Sequence, residues 1–138
     1  MTFSKCTQGL FNHILFEDVL PLLDELKKRN YILGIITNAD QSVIKLINTL
    51  GLGPYLTVIV TSEGARAEKP DPVIFNAAYD QAGLKAEEIL YIGDQYKSDI
   101  LGAKRVGSDA VLLDRHNLTT ESIDCPKISR LDQLLGII

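Results

Sequence analysis

The feature that most constrains the fold is a repeating alternation of short apolar runs with stretches whose apolar residues follow helical spacing. Val19, Leu20, Leu22, Leu23 and Leu26 fall on one helical face after Asp18, a candidate cap. Tyr31 to Ile36 then gives a short apolar run suited to a strand buried on both faces. Val43, Ile44, Leu46, Ile47 and Leu50 repeat the helical spacing, with Gly51 placed to end that helix in a left-handed conformation, and Leu56 to Val60 is the second strand. Asp71 caps and Pro72 opens a third helix that reaches Gly83; Ile89 to Ile92 is the third strand. A fourth helix spans about Ser98 to Val106, Ala110 to Leu113 is the fourth strand, and a final helix covers Ser129 to Leu135. This order predicts an α/β fold: a doubly wound parallel sheet whose ligands bind at the carboxyl ends of its strands.

The length of 138 residues suits one domain, so residues 1–138 are expected to share a single core. No apolar run approaches the ~20 residues needed to span a bilayer, which argues against a membrane partner. Net charge is -4 and the basic residues are scattered, which argues against nucleic acid. The first residues offer no sustained apolar stretch of the secretory kind, and a cytoplasmic address is expected. Cys6 and Cys125 form no C-x-x-C pair and are expected to be free thiols.

Chemistry should therefore be sought just beyond each strand. Thr37 and Asn38 follow the first and offer a hydroxyl, an amide and backbone N–H groups to an anion, although either is also an ordinary helix cap. The loop from Thr61 to Asp71 follows the second and holds Lys69 beside Pro70, a point charge for a phosphate or else a solvated surface lysine. After the third strand come Gly93, which allows a sharp turn or close approach, Asp94 at the carboxyl edge, and Asp99 about one helical turn on. Two carboxylates converging there suit Mg²⁺, which takes one or two carboxylates and completes its shell with water and phosphate. Asp99 near a helix N-terminus is the plainer alternative. Together, Thr37, Lys69, Asp94 and Asp99 make a phosphoryl-transfer inventory in one crevice.

At these residues the chain resembles the haloacid dehalogenase superfamily. Ile36-Thr37-Asn38, the stretch Lys69-Pro70-Asp71-Pro72-Val73-Ile74-Phe75, and Gly93-Asp94 through Asp99 match its second, third and fourth signature blocks in order and approximate spacing. The resemblance implies a Rossmann-like core and a Mg²⁺-dependent hydrolase of small-molecule phosphate esters, working through an aspartyl-phosphate. It implies that Thr37, Asn38 and Lys69 bind the phosphoryl group, with Thr37 and Lys69 catalytic. It gives Asp94 to the metal and Asp99 to the support of metal or lysine.

The family's first block, Asp-x-Asp-x-Thr, has no counterpart, for the sequence contains no Asp-x-Asp. The resemblance thus implies a core lacking its nucleophile and most of its cap, inactive as this chain alone, with residues 1–16 as a remnant or replacement of the cap and first-strand region. In the family the missing strand lies mid-sheet, between the Tyr31 and Ile89 strands. That slot can be filled in three ways: by a longer parent protein, by a strand from another chain as in a homodimer, or by the N-terminal residues themselves, with Leu10 to Phe16 the expected strand. Asp18 would then lie near the nucleophile's place, though a capping role is expected for it. The alternative function is an inactive Mg²⁺- and anion-binding or regulatory module.

Overall fold

The computed structural model describes the backbone of residues 2–4 and the whole of residues 15–120 and 122–138. Six parallel strands form one sheet in the order β3-β2-β1-β4-β5-β6, where β1 is Thr2–Ser4, β2 Gly34–Thr37, β3 Val58–Thr61, β4 Leu90–Gly93, β5 Asp109–Leu113 and β6 Lys127–Ile128. The chain builds outward from β1 to β2 and β3, then crosses over to β4, β5 and β6. The strand order therefore reverses at β1, where doubly wound sheets open a crevice for ligands.

Strand residues divide their side chains between two cores, as the two-residue period of a strand requires. Ile35, Ile92, Val111 and Leu113 pack on one face against helix α1 (Val19–Lys28) and helix α2 (Val43–Thr49), through Leu22, Leu23, Leu26 and Ile47. Their neighbours Ile36, Tyr91, Ala110 and Leu112 pack on the other, against α4 (Pro72–Ala82) and α5 (Leu101–Arg105), through Ile74, Phe75, Ala78 and Ala103. Burial on both sides is why these strands read as unbroken apolar runs rather than alternating ones. Asp71 accepts a hydrogen bond from the Val73 N–H at 2.9 Å, which with Pro72 starts α4 as its sequence dictates. Gly51 follows α2 at φ +81°.

Several elements differ from expectation for local reasons. The first expected strand starts late, at Gly34, because the Tyr31 N–H still bonds back to Leu26 O at 3.0 Å and pairing with β3 begins only at Gly34 opposite Val58. The loop after β3 contains a short helix, α3 (Ser62–Ala65). The last helix is a 3₁₀ segment, Leu131–Gly136, preceded by β6, which is too short to mark itself in sequence. The central slot is filled by Thr2–Ser4, with Phe3 opposite Ile35 on one side and Ile92 on the other. The strand expected over Leu10 to Phe16 is not the one that fills it. Leu15 and Phe16 lie outside any strand, and residues 10–14 fall outside the described residues.

Asp18 also departs from expectation. It stands at the N-cap position of α1 but makes no capping hydrogen bond. Its buried carboxylate instead accepts both arms of Arg115, at 2.9 and 3.0 Å, and the Leu131 N–H at 2.9 Å. Arg115 in turn lies 3.8 Å over the centre of the Phe16 ring. This knot ties the start of α1 to the exit of β5 and to the C-terminal segment. Burial alone would push the Asp18 carboxyl up, but the Arg115 hydrogen bonds, the Leu131 N–H and the Arg115 charge outweigh it and hold the group below its ordinary range. A carboxylate whose folded pKa is lowered stabilises the fold above its unfolded value, about 3.9, and loses that contribution as pH falls through the folded value. Asp18→Asn should therefore cost about 2–3 kcal/mol at pH 7, below the range for a wholly buried pair because Arg115 keeps some contact with water. The difference from the parent should shrink below about pH 4. Urea melts at the two pH values measure it, and coincident curves at pH 7 would show that the knot carries no stability.

Candidate active site

Each candidate residue is delivered by the end of a strand or by the segment just after it. Thr37 is the last residue of β2 and is 4% exposed. Asn38, next in the chain, turns its side-chain amide onto the backbone of Lys69: Oδ1 accepts the Lys69 N–H at 2.8 Å and Nδ2 donates to the Lys69 carbonyl at 3.3 Å. Helix α3 steadies the same loop from the other side. Thr61 caps it by accepting the Gly64 N–H at 3.0 Å, and the Ser62 hydroxyl donates to Ala39 O at 3.1 Å. The lysine is thus fixed through its main chain before its charge is considered.

The Lys69 side chain runs inward. Its ammonium donates to Asp99 Oδ1 at 2.7 Å, with the two side chains 1% and 0% exposed. The other oxygen of Asp99 accepts the Gln95 N–H at 3.0 Å. Asp99 reaches this position because the chain after β4 enters a π-helical turn, Tyr96–Ile100, before α5 begins. The widened turn lets the N–H groups of both Asp99 and Ile100 approach the Gln95 carbonyl, at 2.8 and 3.4 Å. The sequence pattern predicts an ordinary helix from about Ser98. A π turn is one residue wider than α, and such turns recur at functional sites. Gly93 makes room for it, since a Cβ there would stand 2.3 Å from the Asp99 Cβ.

The two aspartates do different work. Asp94 is half-buried and lines a cavity of about 600 Å³ bounded by Gln95 to Ser98 and by the exit of β5. Asp99 does not line it; its carboxylate goes to the lysine, the second of the two supports expected of it. A continuous chain of bonds runs from Thr37 through Asn38, Lys69, Asp99 and Gln95 to Asp94. Hydroxyl, ammonium and carboxylate are delivered along one edge of the sheet, and of Thr37, Asn38, Lys69, Asp94 and Asp99 it is Asp94 that lines the cavity.

Two contributors escaped the sequence. The Asn38 clamp joins residues 31 apart, and the Arg115 knot joins residues 97 apart. No local pattern marks either pairing.

The model of the haloacid dehalogenase-like hydrolases matches residues 4–113. The chain belongs to that family. It is 38% identical over 102 residues to a glyceraldehyde 3-phosphate phosphatase of Methanopyrus kandleri, covering 72% of this chain and 43% of that protein. Among solved structures, a HAD phosphatase from Thermococcus onnurineus superposes with a TM-score of 0.86 at 30% identity, covering 89% of this chain and 57% of that one. The HAD hydrolase YfnB of Bacillus subtilis, in a form bound to magnesium, gives 0.80 at 28% identity, with coverage of 91% and 55%. The chain spans about half the length of the curated relatives it matches. These likenesses fix it as a hydrolase-family core with the Rossmann-like α/β fold. Among its described residues no helix is long and apolar enough to cross a membrane.

The Gly93 contact gives a direct check on the site. Gly93→Ala should force the π turn away from β4 and cost about 1–3 kcal/mol, the usual penalty for an added methyl in a packed interior. A melting temperature equal to the parent's would show that the turn yields freely and that Gly93 does not hold Asp99 in place.

Proposed function

We propose that this chain is the phosphate-binding core of a Mg²⁺-dependent phosphatase acting on small-molecule phosphate esters, with turnover requiring a carboxylate supplied at the carboxyl end of β1. The Lys69–Asp99 pair supports this reading most. A fully buried ion pair is seldom better for stability than apolar side chains of the same size. Its position beside Thr37, at the edge where the strand order reverses, gives it a use that packing does not. The phosphatase activity of the Methanopyrus relative supports phosphate esters as the substrate class.

In this reading the Thr37 hydroxyl and the Asn38 main chain donate to the phosphoryl oxygens, and the Lys69 ammonium offsets their charge. Asp99 holds that ammonium and the Asn38 amide holds the lysine's main chain, so little reorganisation is needed when the anion arrives. Asp94 is the residue that would hold Mg²⁺. One carboxylate beside a roomy cavity fits an ion that keeps several waters and shares its shell with phosphate. Among the described residues no group of three or more His, Cys, Asp or Glu stands together to cage a different metal. Bound there, Mg²⁺ supplies further charge neutralisation on the phosphoryl oxygens. The supplied carboxylate would attack phosphorus in line, forming the aspartyl-phosphate as the P–O bond to the ester oxygen breaks and the alcohol leaves, and water would then hydrolyse the acyl phosphate to release inorganic phosphate.

The second reading, a module that binds Mg²⁺ and anion without turnover, is favoured for the chain by itself by one sequence fact. From Lys5, which follows β1, to Phe16 there is no Asp or Glu. The two readings separate when the residues ahead of Phe16 are replaced by a segment ending in an Asp-x-Asp-x-Thr strand. The chimera should hydrolyse a small phosphate ester, and adding Asp94→Asn should abolish both hydrolysis and the heat of Mg²⁺ titration. A folded chimera that binds phosphate but never turns over would leave only the binding module. For the parent chain, Lys69→Ala should weaken inorganic phosphate roughly 10- to 100-fold, the worth of one charge-assisted hydrogen bond. An unchanged dissociation constant would remove Lys69 from the site.

A further inference from the structure

The cavity beside Asp94 has contents that the proposed chemistry at Lys69 does not use. Its volume, about 600 Å³, falls in the range of small-molecule sites. Thr37, Asn38, Lys69 and Asp99 do not line it, whereas Asp94 does. A group occupying it would therefore share Asp94 with the phosphoryl centre and extend away from Lys69, toward β5.

The charges along its walls fall into two kinds. Some are already neutralised by the fold. Arg115 is held by Asp18, and Asp114 accepts the N–H groups of Leu118 and Thr119 at 2.9 and 2.8 Å. The hydrogen bond from the Thr119 side chain leads the causes that hold the Asp114 carboxyl down at about 2, so it stays an acceptor that shapes the loop. Others have no such partner. The side chains of Lys97 and His116 are exposed, line the cavity, and make no ion pair or hydrogen bond among the described residues. Ser98 and Thr120 add hydroxyls to the lining, that of Ser98 donating to Gln95 Oε1 at 2.8 Å. Once the internal pairs are set aside, the lining offers the Lys97 ammonium together with the His116 ring and the Thr120 hydroxyl.

We infer that this cavity is a subsite for a second anionic group, a carboxylate or a phosphate, carried by the substrate at the end remote from the phosphoryl group that is transferred. The inference rests on the proposed reading of the Lys69 centre and narrows its substrates to esters with two anionic ends. Lys97 is the principal recognition residue, three positions along the chain from Asp94. His116 and the hydroxyls complete the contacts. The Phe16–Arg115 stack, anchored by the buried Asp18 carboxylate, gives the wall a fixed shape.

Titration calorimetry of the intact chain in Mg²⁺ tests it with four ligands: inorganic phosphate, glycerol 3-phosphate, 3-phosphoglycerate and ribulose 1,5-bisphosphate. At least one of the last two should bind about tenfold tighter than glycerol 3-phosphate, the worth of one added charge-assisted contact. Which of them gains decides between carboxylate and phosphate. The double variant Lys97→Gln, His116→Gln should bring the ratio of affinities close to one; both residues are exposed, so the fold should survive, and a thermal melt checks that. Equal affinities in the parent would overturn the inference, as would an advantage that persists in the double variant. Phosphate binding that depends on Lys69 but shows no preference for a second anion would overturn this inference alone. No binding of any ligand by the parent would overturn the Lys69 reading and this inference with it.

Discussion

The Lys69–Asp99 ion pair is the constraint around which the functional edge of this molecule is arranged. Two opposite charges at 2.7 Å with almost no water access are tolerable only if the geometry is good and the remaining polar atoms are satisfied. Each neighbouring device serves that condition. The second oxygen of Asp99 takes the Gln95 N–H, the π turn widens the chain so that it can, and Gly93 leaves the space that a methyl group would fill. On the other side Asn38 grips both backbone groups of Lys69. Segments following three different strands therefore share one electrostatic requirement, and the loss of one partner would strand a buried charge on the other.

The rest of the fold supplies the rigidity this arrangement needs. Strands buried on both faces cannot slide by one residue without exchanging the two cores, so the register of β2 and β4 fixes the heights of Thr37 and Asp94. Away from that edge, the Asp18–Arg115 knot performs a comparable service for the β5 exit, where a loop would otherwise stand on its own. It binds residues from the beginning, the far end and the middle of the described chain, and in doing so sets the outer wall of the cavity at Asp94.

Much of this was legible in sequence, because the legible features are local. Helical spacing and paired-face strands arise from neighbouring residues, as do the Asp71-Pro72 start of α4 and the turn at Gly51. The placement of Thr37, Lys69 and Asp94 along one edge is legible by a different route: in a parallel sheet all strands end on one side, so the segments past strand ends share that edge by topology alone. What sequence could not show is which partner a polar side chain chooses. Asp18 looked like a cap and became the anchor of Arg115, since a guanidinium with two parallel donors outcompetes a single backbone N–H. The β1 strand was misplaced because a three-residue strand takes its conformation from β2 and β4 on either side, not from its own propensity.

That misplacement bears on how the site is divided. The contacts of Asn38, Lys69, Asp99 and Gln95 lie in the segments that follow β2, β3 and β4. In the proposed reading the attacking carboxylate is supplied at the carboxyl end of β1. That reading gives binding and attack to different strands, which among the described residues are joined through the backbone pairing of Thr2, Phe3 and Ser4 with their neighbours. Such pairing specifies position but is indifferent to side chain. On that reading a change in the residues just after β1 would abolish or restore attack while the Lys69–Asp99 pair keeps its geometry, and an intact pair beside a segment from Lys5 to Phe16 that holds no Asp or Glu is one of the states that this division permits.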